Sequence, residues 1–139
     1  KDRGLTNLHL PGRFPVATMP GFMRKASVLL VTLADKEIFA ATVPNKVQAY
    51  MAAGRPILAC LNGEGARLVI EAEAGLAVRA QDGPALAAAV MRLYKMSETE
   101  REKLGRNGSV YFQAHFNHDR LVDQLVERLR VVSQKREGV

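Results

Sequence analysis

Three short, unbroken apolar runs do most to limit what this chain can fold into: Val28-Leu29-Leu30-Val31, Pro56-Ile57-Leu58-Ala59-Cys60 and Leu76-Ala77-Val78. A strand with one wet face alternates apolar and polar residues. A strand covered on both faces, as in a parallel sheet, is apolar throughout. The three runs are therefore expected to be buried parallel strands. A fourth strand is expected at about 7–10, where Asn7 to Leu10 is closed by Pro11-Gly12.

The sequence between the runs has helical spacing. Met19, Phe22, Met23 and Ala26 recur at helical intervals, with Thr18 as N-cap and Pro20 in the first turn. A loop of mixed charge is expected over Ala34 to Phe39. Pro44 opens a helix on which Val47, Tyr50 and Met51 share a face, and Gly54 ends it at a position that tolerates positive φ. Asn62-Gly63-Glu64-Gly65 is a tight turn, and a helix containing Leu68, Val69, Ile70 and Ala72 is expected to end at Gly75. Beyond Gln81-Asp82-Gly83-Pro84 only helices follow. Their stripes are Leu86, Val90, Leu93 and Tyr94; then Leu104, Tyr111, Phe112 and His115; then Leu121, Leu125, Val126, Leu129 and Val132. Ser97-Glu98-Thr99-Glu100 forms a capping box before the second of these. Lys135 to Val139 lacks a core-forming pattern and is expected to fray.

Strands alternating with helices predict an α/β fold, a Rossmann-like doubly wound parallel sheet with right-handed crossovers and C-terminal helices. At 139 residues the length suits one domain rather than two. Ligands of such sheets bind at the carboxyl ends of the strands, where helix N-termini point. The segments 11–17, 32–46 and 61–65 fall there. In Thr42-Val43-Pro44-Asn45-Lys46 a helix N-terminus, an amide and a cation stand together, which suits a phosphate. The alternative is a proline that starts a helix and a solvated lysine. The two glycines of 62–65 would let a ligand approach the backbone, or simply make a strand-to-helix turn.

Other chemistry finds little support. The chain has no dinucleotide-binding glycine loop, Walker loop or nucleophile elbow. His9, His115 and His118 lack metal-ligand spacing, so no metal is expected. His115 reads as a packed core histidine and His118, beside Asn117 and Asp119, as helix-start chemistry. Cys60, the only cysteine, excludes an intrachain disulfide and reads as a small core residue. The net charge of +6 gathers at the ends, +4 over residues 1–25 and +3 over 92–139, but the C-terminal cations alternate with acids. That pattern disfavours nucleic-acid binding and leaves an anionic lipid surface as the better partner. No apolar run approaches the roughly 20 residues of a membrane span.

Residues 42–65, TVPNKVQAYMAAGRPILACLNGEG, resemble the donor-site signature of GT-B glycosyltransferases, closest to the bacterial family-4 branch that builds O-antigen and capsule polysaccharides, including amino-deoxysugar transferases. The flanks agree. Asn7 to Pro15 is similar to that family's strand and base-binding turn, Ser27 to Leu33 to its next strand, and Gly105-Arg106-Asn107-Gly108 with Tyr111-Phe112 and His115-Phe116 to its C-terminal helical signature. The resemblance implies the C-terminal half of a GT-B fold, lacking its first two strands. Residues 1–116 would be a partial nucleotide-sugar-binding domain, with Lys1 to Gly4 the tail of a preceding helix. Residues 117–139 would be a helix that packs on an N-terminal domain. A fragment of this kind is expected to be inactive alone.

The resemblance also implies a site. Gly12, Arg13 and Phe14 would hold the base. Pro44, Asn45 and Lys46 would hold the diphosphate, Gln48 and Tyr50 would border the nucleotide, and Asn62, Gly63, Glu64 and Gly65 would face the sugar or phosphates. The implied chemistry is metal-independent transfer with retention, from a UDP-sugar or related donor to a saccharide or lipid-linked acceptor. The nucleotide-sugar is a substrate, so no cofactor is implied, and the enzyme would work at the cytoplasmic face of a membrane. Two glutamates common in the family are replaced by Ala41 and Ala49, which leaves Glu37 as the nearest candidate catalytic carboxylate. A GT-B nucleotide-sugar epimerase and a non-catalytic interaction domain are the alternatives.

Overall fold

The computed structural model describes residues 4–137, with side chains to residue 133. Its centre is a parallel sheet of β1 (Leu29–Thr32), β2 (Ile57–Cys60) and β3 (Gly75–Val78) in the order β1-β2-β3. Leu29 pairs with Ile57, and Ile57 with Gly75. The helices are α1 (Met19–Lys25), α2 (Glu37–Ala40), α3 (Asn45–Ala52), α4 (Glu64–Glu71), α5 (Gly83–Lys95), α6 (Glu98–His115) and α7 (His118–Glu137), and a 3₁₀ turn over Val16–Thr18 precedes α1.

Residues alternate across the sheet, so each strand supplies both faces. On one face Val31, Ile57, Ala59 and Leu61 meet Val47 and Met51 of α3 and Leu68 and Val69 of α4. On the other, Leu58 meets Ala89 and Leu93 of α5. Helices thus cover both faces, as a doubly wound sheet requires. At the back, α6 lies close to the end of α3 because two of its residues are glycines. A Cβ on Gly105 would stand 2.2 Å from the Gly54 carbonyl oxygen, and one on Gly108 would stand 3.1 Å from the Ala74 Cβ. Gly54 itself has φ +65, the helix-ending conformation expected of it.

Several expectations are corrected. Residues 7–10 form no strand; they are exposed and pair with nothing among the described residues. A lone strand has no ladder to satisfy its backbone, and Leu8 and Leu10 find no apolar cover. β2 is buried throughout, but β1 and β3 are not: Leu30 is 50% exposed because α5 packs mainly on β2 and β3, and Leu76, Ala77 and Val78 are half-buried. The loop expected over Ala34 to Phe39 contains the single turn α2. Thr18 makes no cap; its hydroxyl donates to the Pro15 carbonyl. The helix before β3 ends earlier than Gly75, at Glu71, and Glu73 rather than a glycine takes positive φ there. Gly75 begins β3, where a Cβ would stand 1.8 Å from the Ile57 carbonyl oxygen. His115 is exposed, stacked on Tyr111 at 4.2 Å.

The capping box of α6 is present, and Cys60 is buried with its thiol donating to the Arg79 carbonyl. Asn117 caps α7 through the Arg120 N–H. The stripe of α7 is exposed along its described length, Leu125 at 57% and Leu129 at 60%. This helix continues to Glu137, past the expected fraying point at Lys135. Lys1 to Arg3 and residues 138–139 lie outside the described residues, and with them most of the expectation for Lys1 to Gly4.

Candidate functional site

The carboxyl ends of β1, β2 and β3 face one way, and the loops after them carry most of the residues singled out in the sequence. Two glycines press two of these loops together. Gly63 has φ +74, and a Cβ there would stand 2.0 Å from the Ala40 carbonyl oxygen. A Cβ on Gly65 would stand 2.9 Å from Pro44 Cδ. The end of α2, the start of α3 and the start of α4 are therefore in contact. Only a residue without a side chain permits that approach.

Neither helix start has a side-chain cap. The first-turn N–H groups of Asn45 and Lys46 on α3, and of Glu64, Gly65 and Ala66 on α4, have no acceptor among the described residues. Unsatisfied N–H groups and the dipoles behind them make each start favourable to an anion. Lys46 is exposed in the first turn of α3 and has no ion-pair partner among the described residues. Asn45 is exposed beside it.

The acid of the turn is already neutralised. Glu64 accepts from Arg67 at 2.8 Å, and that hydrogen bond and the charge behind it hold its carboxyl below the usual range. Arg67 also binds Glu71. Asn62 is engaged at both ends of its carboxamide: Nδ2 donates to Asp35 Oδ1 at 2.8 Å, and Oδ1 accepts the Ala80 N–H at 3.0 Å. Arg79 lies 3.8 Å from the other oxygen of Asp35.

The remaining candidates are dispersed. Glu37 is the exposed first residue of α2, and its carboxylate has no partner among the described residues. Gln48 is half-buried. The Tyr50 hydroxyl donates to the Leu30 carbonyl at 3.4 Å on the open edge of β1, and burial raises its pKa. Gly12 and Arg13 are exposed, and Phe14 packs on Phe22 of α1 at 4.9 Å. No hydrogen bond or ion pair among the described residues joins residues 12–14 to the other two segments. Ala41 is exposed at the end of α2. Ala49 lines an apolar groove with Val16, Met19 and Met23.

Sequence reasoning passed over Asp35 and Arg79. Their signal was position alone: each sits just past the carboxyl end of a strand, where the ligand loops of a parallel sheet gather.

The sequence profile described as glycosyl transferases group 1 matches residues 1–96. Among solved structures, the fold is similar to that of sucrose-phosphate synthase from Thermosynechococcus elongatus, with a TM-score of 0.69 and 28% identity over 82% of this chain. The chain spans 27% of that protein's length. No curated protein sequence matches the chain.

Proposed function

The chain belongs to the group 1 glycosyl transferases, and on that premise we propose that it is the donor-binding part of a glycosyltransferase, with the diphosphate of a nucleotide-sugar at the paired starts of α3 and α4. The observation that carries this reading is the convergence of two uncapped helix N-termini and Lys46 at the carboxyl end of the sheet. Pro44 starts α3 with its N–H groups free, and Asn45 and Lys46 supply an amide and a charge beside them. Gly63 and Gly65 let the end of α2 and the start of α3 press against the start of α4, with Glu64 held off by Arg67.

The chemistry follows from charge. When the glycosidic bond to the donor breaks, negative charge grows on the leaving diphosphate. Donors fixed in place beforehand stabilise that charge without reorganising. Transfer is metal-independent and retaining in this reading, and the nucleotide-sugar is consumed as substrate. Glu37 serves as the catalytic carboxylate near the sugar. Gly12, Arg13 and Phe14 close on the base, and Gln48 and Tyr50 border the nucleotide. The acceptor is a saccharide or a lipid-linked saccharide, met at the cytoplasmic face of an anionic membrane. No described helix is long and apolar enough to cross that membrane.

Calorimetry with UDP tests the reading. The protein binds UDP, and Lys46→Ala weakens binding about tenfold or more, the worth of one charge-assisted hydrogen bond. Absence of binding, or binding indifferent to Lys46→Ala, overturns it. Ala41 and Ala49 favour a second reading, in which the domain binds nucleotide without transferring sugar. Nucleotide binding with no sugar transferred to any acceptor by the complete enzyme would select it, and epimerised donor would select an epimerase.

A further inference from the structure

We propose that Asn62 is a positioning residue of this site: its carboxamide fastens the loops after β1 and β3 to the turn that starts α4, and so sets where the open N–H groups of α4 stand. This rests on the donor-site reading above. Three successive strands deliver three loops to one side chain, since Asn62 follows β2, Asp35 follows β1 and Ala80 follows β3. The sense of both bonds is fixed by the partners. A backbone N–H only donates, so the Asn62 oxygen faces Ala80; a carboxylate only accepts, so the nitrogen faces Asp35. Asparagine offers an acceptor oxygen at one end of its carboxamide and an NH2 donor at the other, which an aspartate carboxylate of the same length does not.

The turn is fixed from the other side by packing, Gly63 on Ala40 and Gly65 on Pro44. Leu61 and Ala80 are buried and anchor the strand ends, whereas Asp35 and Arg79 are exposed, so the Asp35 end of the clasp is held by polar contacts and not by packing. With both ends of its carboxamide engaged, Asn62 acts on a bound diphosphate through the turn and not by touching it.

A polarity swap separates positioning from contact. Asn62→Asp keeps the acceptor for Ala80 but sets a carboxylate against that of Asp35. Adding Asp35→Asn restores the bond with donor and acceptor exchanged. We expect the Kd for UDP to rise about tenfold in Asn62→Asp, the scale of one lost hydrogen bond and a like-charge contact. It should return to within about threefold of the parent in the double variant, since the bond is remade. Hydrogen exchange at the Arg67 and Ala80 amides, which are bonded to the Gly63 carbonyl and to Asn62 Oδ1, should accelerate in Asn62→Asp when measured without nucleotide and recover in the swap. Unchanged affinity in Asn62→Asp overturns the proposal, as does a loss that the swap does not restore. If the parent binds no UDP, the donor-site reading falls, and the exchange rates alone decide whether Asn62 holds the turn. If Asn62→Asp fails to fold, Asp35→Ala cuts one end of the clasp and leaves Asn62 in place. It should show the same acceleration, and unchanged exchange there overturns the proposal.

Discussion

The body from Leu29 to Phe116 and the two flanks beside it treat apolar side chains in opposite ways. In the body, Val47, Met51, Ile57 and Val69 are fully buried. In the flanks, Leu10 and Val16 are more than four-fifths exposed, and Leu121, Leu125, Leu129 and Val132 line one helix without cover among the described residues. Amphipathic spacing is present in both. The difference lies in partners. The body closes because its strands pair and its helices find both faces of the sheet, whereas residues 5–13 and the stripe of α7 have no facing surface among the described residues, and α1 is only half covered, with Met19 and Met23 beside Ala49. Helical periodicity says which side of an element seeks cover and nothing about what supplies it.

The largest effects should therefore lie where backbones meet. Gly75→Val places a branched side chain where a Cβ already falls 1.8 Å from the Ile57 carbonyl oxygen, which must break the β2–β3 ladder. It should cost about 3 kcal/mol or more in urea unfolding, at or beyond the upper range for overpacking. A cost below about 1 kcal/mol would mean that the strands do not approach as described. Met51→Ala comes next. It empties a fully buried site between α3 and the sheet, for about 2–5 kcal/mol. Leu125→Ala removes a similar side chain from α7 and should cost about 0.5 kcal/mol or less. If the Met51 and Leu125 costs proved equal, α7 would have found cover and the contrast between body and flank would fail.

The same contrast explains what could be read from the residues. β2 was legible because a central strand covered on both faces gives an unbroken apolar run, and it is buried at every position. The equally apolar run of β1 overstated its burial. Leu30 is half exposed because cover depends on how far α5 reaches, which is a property of another element. Residues 7–10 show strand-like sequence, but a strand exists only with a neighbour. In the site, Pro44-Asn45-Lys46 and the 62–65 turn carried local signals of proline, glycine and charge. The clasp through Asn62 did not. Its partners lie 27 and 18 residues away, joined by polar groups in loops that have no periodicity to reveal them.

The smallest predicted effects concern helix starts in the two regions, and one depends on pH while the other does not. At the start of α6, the Ser97 hydroxyl accepts the Glu100 N–H at 3.2 Å while the Glu100 carboxylate accepts the Ser97 N–H at 2.7 Å. The start of α7 has only the Asn117 amide. Hydrogen bonds from the Ser97 side chain and backbone hold the Glu100 carboxyl below its ordinary value of 4.5. A carboxyl lowered by folding stabilises the native state when it is ionised. That contribution is complete above the unfolded value and is lost as pH falls through the folded one. The Tm difference between the parent and Glu100→Gln should therefore be constant at neutral pH and shrink below about pH 4.5. Asn117→Ala should lower Tm by the same amount at every pH, because an amide does not titrate. A Glu100→Gln difference that persisted unchanged into acid would show that the carboxylate's charge contributes nothing to the cap, and that the two helix starts differ only in the number of their hydrogen bonds.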